Sequence, residues 1–184
     1  MNTRPQHTTS QDGWVEGRLG RLFVRRWAPV ESSPRAPIVL LHDSLGSVEL
    51  WRGFPAALCK ATGREVVAYD RLGFGKSDPH PRTLALDFIA SEAAGDFAAV
   101  IGQLGIARFV VFGHSVGGGM AVNCAAHHGA ACVALITESA QAFVEDRTIA
   151  GLEDARALFR DPGQVERLKR YHGDKARWVL DAWI

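Results

Sequence analysis

Apolar residues recur along this chain in two rhythms, and the switches between them mark out its elements. Val15 to Ala28 predicts two short strands joined at Gly20 as a hairpin. Glu31 to Pro37 is rich in turn residues and reads as a loop. Ile38-Val39-Leu40-Leu41 is a continuous apolar run, which suits a strand buried on both faces of a parallel sheet. Trp51 to Lys60 has a helical pattern, and Glu65 to Tyr69 reads as a strand. Phe88, Phe97, Val100, Ile101 and Leu104 fall near helical spacing and predict one amphipathic helix. A strand at Arg108–Phe112, a helix of small residues at Val116–His128 and an apolar strand at Ala131–Thr137 follow. This alternation predicts an α/β fold, a doubly wound and mainly parallel sheet with helices on both faces.

After Thr137 the rhythm becomes purely helical. Leu152, Ala155, Leu158 and Phe159 mark one helix, Asp161-Pro162 caps and opens a second, and Trp178, Val179, Ala182 and Trp183 mark a third. These helices form either a cap or ordinary cover for the core, and periodicity alone does not separate the two. The expected organisation is a disordered tail over residues 1–12, an α/β core over 13–140 and a partial C-terminal helical cap over 141–184.

Composition narrows the function classes. The chain has 184 residues, 47% of them hydrophobic, enough for one domain with a real core. Its net charge is +1 with Lys and Arg dispersed, which argues against a nucleic-acid partner. Cys59, Cys124 and Cys132 form no CxxC pair and no zinc spacing, so they read as reduced thiols of an intracellular protein, with no metal site and no cofactor. The first twelve residues lack an apolar signal region, and no apolar run nears the ~18 residues a membrane span needs. A soluble, cytoplasmic chain without a membrane partner is expected.

The chemistry centres on Gly113-His114-Ser115-Val116-Gly117, which follows an apolar strand and opens a helix. That is the context of a nucleophile elbow. Glycines two residues either side of the serine leave room for a tight turn, and the Val116 N–H lies at a helix N-terminus that favours negative charge. Two more segments follow strands at the ends where open α/β sheets place their sites: His42-Asp43-Ser44-Leu45-Gly46 and Asp70-Arg71-Leu72-Gly73-Phe74-Gly75-Lys76-Ser77. The Gly75-Lys76-Ser77 triplet is not a phosphate-binding loop, because the required glycine five residues earlier is Asp70.

With these three segments the chain resembles the α/β-hydrolase superfamily, whose pattern is HGxxG, DxxGxGxS and GxSxG in that order. The resemblance covers roughly Val15 to Thr137. It implies Ser115 as nucleophile, Gly113 and Gly117 as elbow glycines, and an oxyanion hole formed by the backbone N–H groups of Ser44 and Val116. A serine here disfavours the dehalogenase and epoxide-hydrolase branches, which use aspartate. Hydrolysis of a small ester-like substrate is implied, whether ester, thioester, lactone or carbon–carbon bond. Asp43 departs from the family's glycine, which raises the question of a left-handed backbone there and of a carboxylate beside an oxyanion.

The family's triad runs Ser, then Asp or Glu, then His along the chain. No seventh or eighth strand is apparent, so the core reads as incomplete and the triad acid and histidine as missing. Glu138 is a candidate triad acid, or else the first solvated residue of the cap. None of His42, His80, His114, His127, His128 or His172 has the chain context of the base. The chain is therefore an esterase-like hydrolase, or a non-catalytic truncated fragment or scaffold of one. The Ala131–Thr137 strand as an apolar sheet edge, with Trp178, Val179 and Trp183 unburied in the cap helices, leads to an expectation of self-association.

Overall fold

The computed structural model describes residues 8–31, 33–141 and 143–183. Its elements are β1 (Thr9–Glu16), β2 (Arg21–Ala28), β3 (Ile38–Leu41), α1 (Phe54–Thr62), β4 (Val66–Tyr69), α2 (Phe88–Ser91), α3 (Asp96–Gln103), β5 (Phe109–His114), α4 (Val116–His128), β6 (Cys132–Glu138), α5 (Asp146–Leu158), α6 (Pro162–His172) and α7 (Ala176–Asp181). The sheet order is β1-β2-β4-β3-β5-β6. β1 and β2 form an antiparallel hairpin, and β2 joins β4 antiparallel. β4, β3, β5 and β6 run parallel.

Alternation along the parallel strands divides the core into two layers. Val39, Leu41, Val67, Tyr69, Phe109 and Val111 face one way, against Phe97 and Val100 of α3 and Met120 and Cys124 of α4. Ile38, Leu40, Val66, Ala68 and Val110 face the other way, with Phe23 and Trp27 of β2, against Cys59 of α1. Helices therefore cover both faces, and the doubly wound expectation holds. The winding reverses between β3 and β5, which lie side by side with Leu41 opposite Gly113. The loops after these two strands lie side by side at their C-terminal ends, the place where such sheets bind ligands.

Three local readings need correction. The expected tail reaches too far, because Thr9–Asp12 already pair with Ala28–Arg25, and Asp12 forms an ion pair with Arg25. Residues 1–7 lie outside the described residues. The single amphipathic helix through Phe88–Leu104 is two helices. Its break is held by the buried Glu92, whose carbonyl accepts from both Gly95 N and Phe97 N while its carboxyl takes the Tyr69 hydroxyl. The Trp51–Lys60 helix starts at Phe54, after a 3-10 turn at Val48–Trp51, because Pro55 fits only a first helical turn.

At the C-terminal side, α5 buries no residue, whereas α6 and α7 bury Leu168, Ala176, Val179 and Leu180 against Phe74. Asp161 caps α6 by accepting from Gly163 N at 2.8 Å, with Pro162 first in the helix. The expectation that Trp178, Val179 and Trp183 stay unburied is wrong. Val179 is fully buried, Trp178 stacks on His80 and edges Phe74, and Trp183 edges Phe88. These helices seat on the loops at the strand ends, not on a sheet face. β6 pairs with β5 on one side, and Val133, Leu135 and Ile136 along it are exposed.

Candidate active site

Ser115 sits between β5 and α4 with φ 54° and ψ −121°, a left-handed backbone that a side chain adopts only under constraint. The constraint is visible on both sides. Ser115 N donates to Glu138 O at 2.9 Å, and Ser115 O accepts from Gly118 N at 2.8 Å. A Cβ on Gly113 would lie 2.0 Å from Gly117 O, and one on Gly117 would lie 2.2 Å from Leu41 O. Both glycines are thus required by close backbone approach. Ser115 is half-buried, and among the described residues its Oγ has no hydrogen-bond partner. Val116 is the first residue of α4, so its N–H has no acceptor within the helix.

The facing loop runs from His42 to Gly46. Its carbonyls are held from behind by the buried Arg71, whose Nη1 donates to His42 O at 3.2 Å and whose Nη2 donates to Asp43 O at 2.7 Å. His42 is buried and locked in one tautomer. Its Nδ1–H donates to Asp43 O at 2.9 Å, and its Nε2 accepts from Arg71 N at 3.2 Å. Burial, with Arg71 beside it, holds this imidazole well below its ordinary value, so it is neutral. Asp43 is not among the left-handed residues, so aspartate fits where the family has glycine. Its Oδ2 lies 3.6 Å from His114 Nδ1, and the Glu138 carboxylate reaches His114 Nε2 at 2.9 Å. Glu138 is the last residue of β6, opposite His114 in register, and not the first residue of the helical segment.

The third loop is fixed by Asp70 and Ser77. Asp70 accepts from Val48 N at 2.6 Å and Lys76 N at 2.7 Å, while Ser77 Oγ bonds Asp70 O and accepts from Phe23 N. A cavity of about 790 Å³ lies beside this loop, walled by Arg71, Phe74, Phe88, Glu92, Asp96 and Met120 and not by Ser115.

The described histidines are all otherwise engaged. His80 bonds the Arg82 backbone and stacks on Trp178, and His128 bonds Ala93 O with His127 packed edge-on against it. His172 bonds Gly75 N and Leu45 O. None of them hydrogen-bonds Ser115 Oγ. Among the described residues no group of three His, Cys, Asp or Glu could hold a metal ion, and no helix is long and apolar enough to cross a membrane. The roles of Arg71, of His172 and of the His114–Glu138 contact escape sequence reasoning, because each joins elements far apart in the chain.

The sequence profile of the alpha/beta hydrolase fold family matches residues 36–178. The chain belongs to that family. Among its relatives is an sn-1-specific diacylglycerol lipase, ABHD11, of Danio rerio, 37% identical over 89 residues, which are 48% of this chain and 26% of the lipase. A 1-acylglycerol-3-phosphate O-acyltransferase, ABHD5, of Homo sapiens is 38% identical over 93 residues, 48% of this chain and 25% of that protein. These matches thus span about a quarter of the length of either relative. Of solved structures, a bacterial membrane phospholipase A superposes with a TM-score of 0.71 at 19% identity, covering 95% of this chain and 59% of that one, a likeness of fold. This family member carries the HDSLG, DRLGFGKS and GHSVG loops at three neighbouring strand ends.

Proposed function

We propose that this α/β hydrolase acts on acyl esters through Ser115, with the N–H groups of Ser44 and Val116 as oxyanion hole. The observation that carries the reading is the left-handed Ser115 on the tight turn between β5 and α4, flanked by two glycines that have no room for a Cβ. In the proposed step, Oγ attacks the acyl carbonyl as its proton passes to solvent water, and the carbonyl oxygen becomes the oxyanion; that proton returns through water to the alkoxide as it leaves. Collapse then expels the alcohol, and water hydrolyses the acyl-serine. Thioesters, lactones and carbon–carbon bonds beside a carbonyl present the same electrophile. The lipase and acyltransferase relatives, by their names, act on acylglycerols, which favours a carboxylic ester.

A second reading, a non-catalytic scaffold with hydrolase ancestry, is favoured by one observation. No described side chain hydrogen-bonds Ser115 Oγ, so no base is in place to take its proton. Glu138, the candidate triad acid, meets His114. A fluorophosphonate probe separates the two readings. The hydrolase reading expects covalent labelling of Ser115, located by peptide mass spectrometry and abolished in Ser115→Ala. It also expects slow turnover of an activated ester that rises with pH and with added imidazole. A chain that the probe does not mark, or marks equally in Ser115→Ala, refutes the nucleophile assignment. We further propose a cytoplasmic setting, supported by free Cys59, Cys124 and Cys132, and self-association through the exposed β6 edge.

A further inference from the structure

We propose that His172 is a positioning residue for the oxyanion loop, its imidazole fastening α6 to the loops after β3 and β4 at once. The functional part of this proposal rests on the Ser115 reading above; its structural part stands alone. His172 is the last residue of α6 and is 1% exposed. Its Nδ1 accepts from Gly75 N at 2.9 Å, and its Nε2–H donates to Leu45 O at 3.0 Å. One ring therefore serves a donor and an acceptor that lie on two different loops. Only the neutral tautomer with the proton on Nε2 makes both bonds. Burial pushes this imidazole down to about 4, which keeps it neutral at neutral pH.

The consequence for the loop follows from peptide geometry. In a trans peptide the N–H points opposite to the carbonyl of the same unit. Asp43 O is drawn back by Arg71 Nη2 and His42 Nδ1, so the Ser44 N–H of that unit points away from Arg71. Among the described residues this N–H has no acceptor. That anchor fixes the chain on one side of Ser44. On the other side the anchor of Leu45 O is His172, from a helix 127 residues further along the chain. Without it the far side of the loop keeps only the long Gly46 N to Asp43 O bond at 3.4 Å and, beyond it, Val48 N to Asp70 Oδ1 at 2.6 Å, so the Leu45 carbonyl loses its one fastening among the described residues and the Ser44 N–H gains room to tilt.

The neighbours of His172 are built around this contact. Phe74 meets the ring edge-on at 6.1 Å and meets Trp178 at 5.6 Å, so the same aromatic seats α6 and α7. Gly75 presents its N–H from a φ of 45°, and a Cβ there would lie 2.1 Å from the Asp70 carboxyl. Gly173, at φ 58°, turns the chain out of α6 directly after the ring. A Lys or Arg has no acceptor for Gly75, and an apolar residue leaves both partners buried and unpaired. The packing of the C-terminal helices is thus linked to the shape of the proposed oxyanion hole.

The test compares His172→Phe, which keeps bulk and loses both bonds, with His172→Gln, which restores a donor for Leu45 O. Amide hydrogen exchange is read at Gly75 and over Ser44–Gly46, where Gly46 N, bonded to Asp43 O, is the amide that reports, together with the rate of Ser115 labelling by a fluorophosphonate at saturating probe. In His172→Phe, exchange in both segments rises about tenfold or more, the scale of leaving buried polar groups unpaired, and the saturating labelling rate falls about tenfold with half-saturation unchanged. In His172→Gln, labelling and Ser44–Gly46 exchange recover while Gly75 still exchanges fast. If His172→Phe does not fold, the split between the two loops in His172→Gln decides. Exchange at Ser44–Gly46 within twofold of wild type in His172→Phe, or equal loss in both variants, overturns the proposal. If wild type is not labelled, the nucleophile reading fails, and exchange alone decides the role of His172.

Discussion

The three consecutive glycines that open α4 allow the elbow to be tested one Cβ at a time. At Gly117 an added Cβ would meet Leu41 O at 2.2 Å and His42 O at 2.6 Å, both backbone atoms at the end of a central strand. Neither can yield without moving β3 and the loop that carries Ser44. At Gly118 the Cβ would meet Ala140 Cβ at 2.5 Å, in an exposed segment that has room to give. At Gly119 the nearest atoms are 3.4 and 3.5 Å away, ordinary contact. Overpacking a core costs ~1–3 kcal/mol, and rigid backbone on both contacts places Gly117→Ala at about 3 kcal/mol or above. Gly118→Ala should cost about 1 kcal/mol on the same scale. Gly119→Ala should be neutral or stabilising by up to ~1 kcal/mol, since alanine is the better helix former. About 3 kcal/mol is a large share of a domain's usual ~5–15 kcal/mol, and lowers the melting temperature of a domain this size by roughly 6–12 °C. Urea unfolding at constant m-value gives the three numbers directly. If Gly117→Ala is no less stable than Gly119→Ala, the close approach of α4 to β3 is not as described, and the elbow argument falls with it.

Two further perturbations probe other parts of the fold. Buried Glu92, beside Asp96, has its carboxyl raised to about 7 from an ordinary 4.5. The folded state therefore binds its proton more tightly than the unfolded state, and stability is lost as pH rises from 4.5 through 7. His172 has the opposite sign, its value depressed to about 4 from 6.5, so stability is gained as pH rises through that window. Glu92→Gln should therefore gain on wild type by ~2–3 kcal/mol between pH 4.5 and 8 in urea melts, exposing the rise due to His172; a constant gap contradicts the burial of an ionising Glu92. At the sheet edge, Leu135→Lys with Ile136→Lys should lower the light-scattering mass, because lysine on an edge strand opposes pairing. A wild-type chain that stays monomeric at every concentration refutes self-association through β6.

What was legible in the sequence is what local pattern encodes. The Ile38–Leu41 run is apolar at every position because both faces of β3 are covered, and it reads as a buried strand without help. Gly113-His114-Ser115-Val116-Gly117 reads as an elbow because its glycines answer clashes within a few residues or with the adjacent strand. Thr9–Asp12 has no apolar signal, since all four residues are exposed and the strand exists through its pairing with β2. The break between α2 and α3 was hidden for a similar reason. Phe97, Val100, Ile101 and Leu104 keep helical spacing, while the interruption before them comes from Glu92 reaching Tyr69, 23 residues earlier. Trp178 and Val179 were legible as a helix but not as buried, because Phe74, which receives them, lies within a loop motif.

The departure at Asp43 shows how the three loops work together. A glycine is needed in such a loop where the backbone turns left-handed or where another atom leaves no room for a Cβ, and at Asp43 the backbone is not left-handed. The remaining difficulty is electrostatic, since a carboxylate beside the proposed oxyanion hole would oppose the charge that develops there. Asp43 Oδ2 faces His114 Nδ1, and Glu138 holds the opposite nitrogen of the same ring. The imidazole thus stands between two carboxylates, 2.9 Å from Glu138 and 3.6 Å from Asp43 Oδ2, while Asp43 Oδ1 is buried with no hydrogen-bond partner among the described residues. Neither the ring nor Glu138 is then free to serve Ser115, although both lie next to it in register. This is why proximity in the motif does not make His114 the base, and why the search for one turns on what reaches Ser115 Oγ in space.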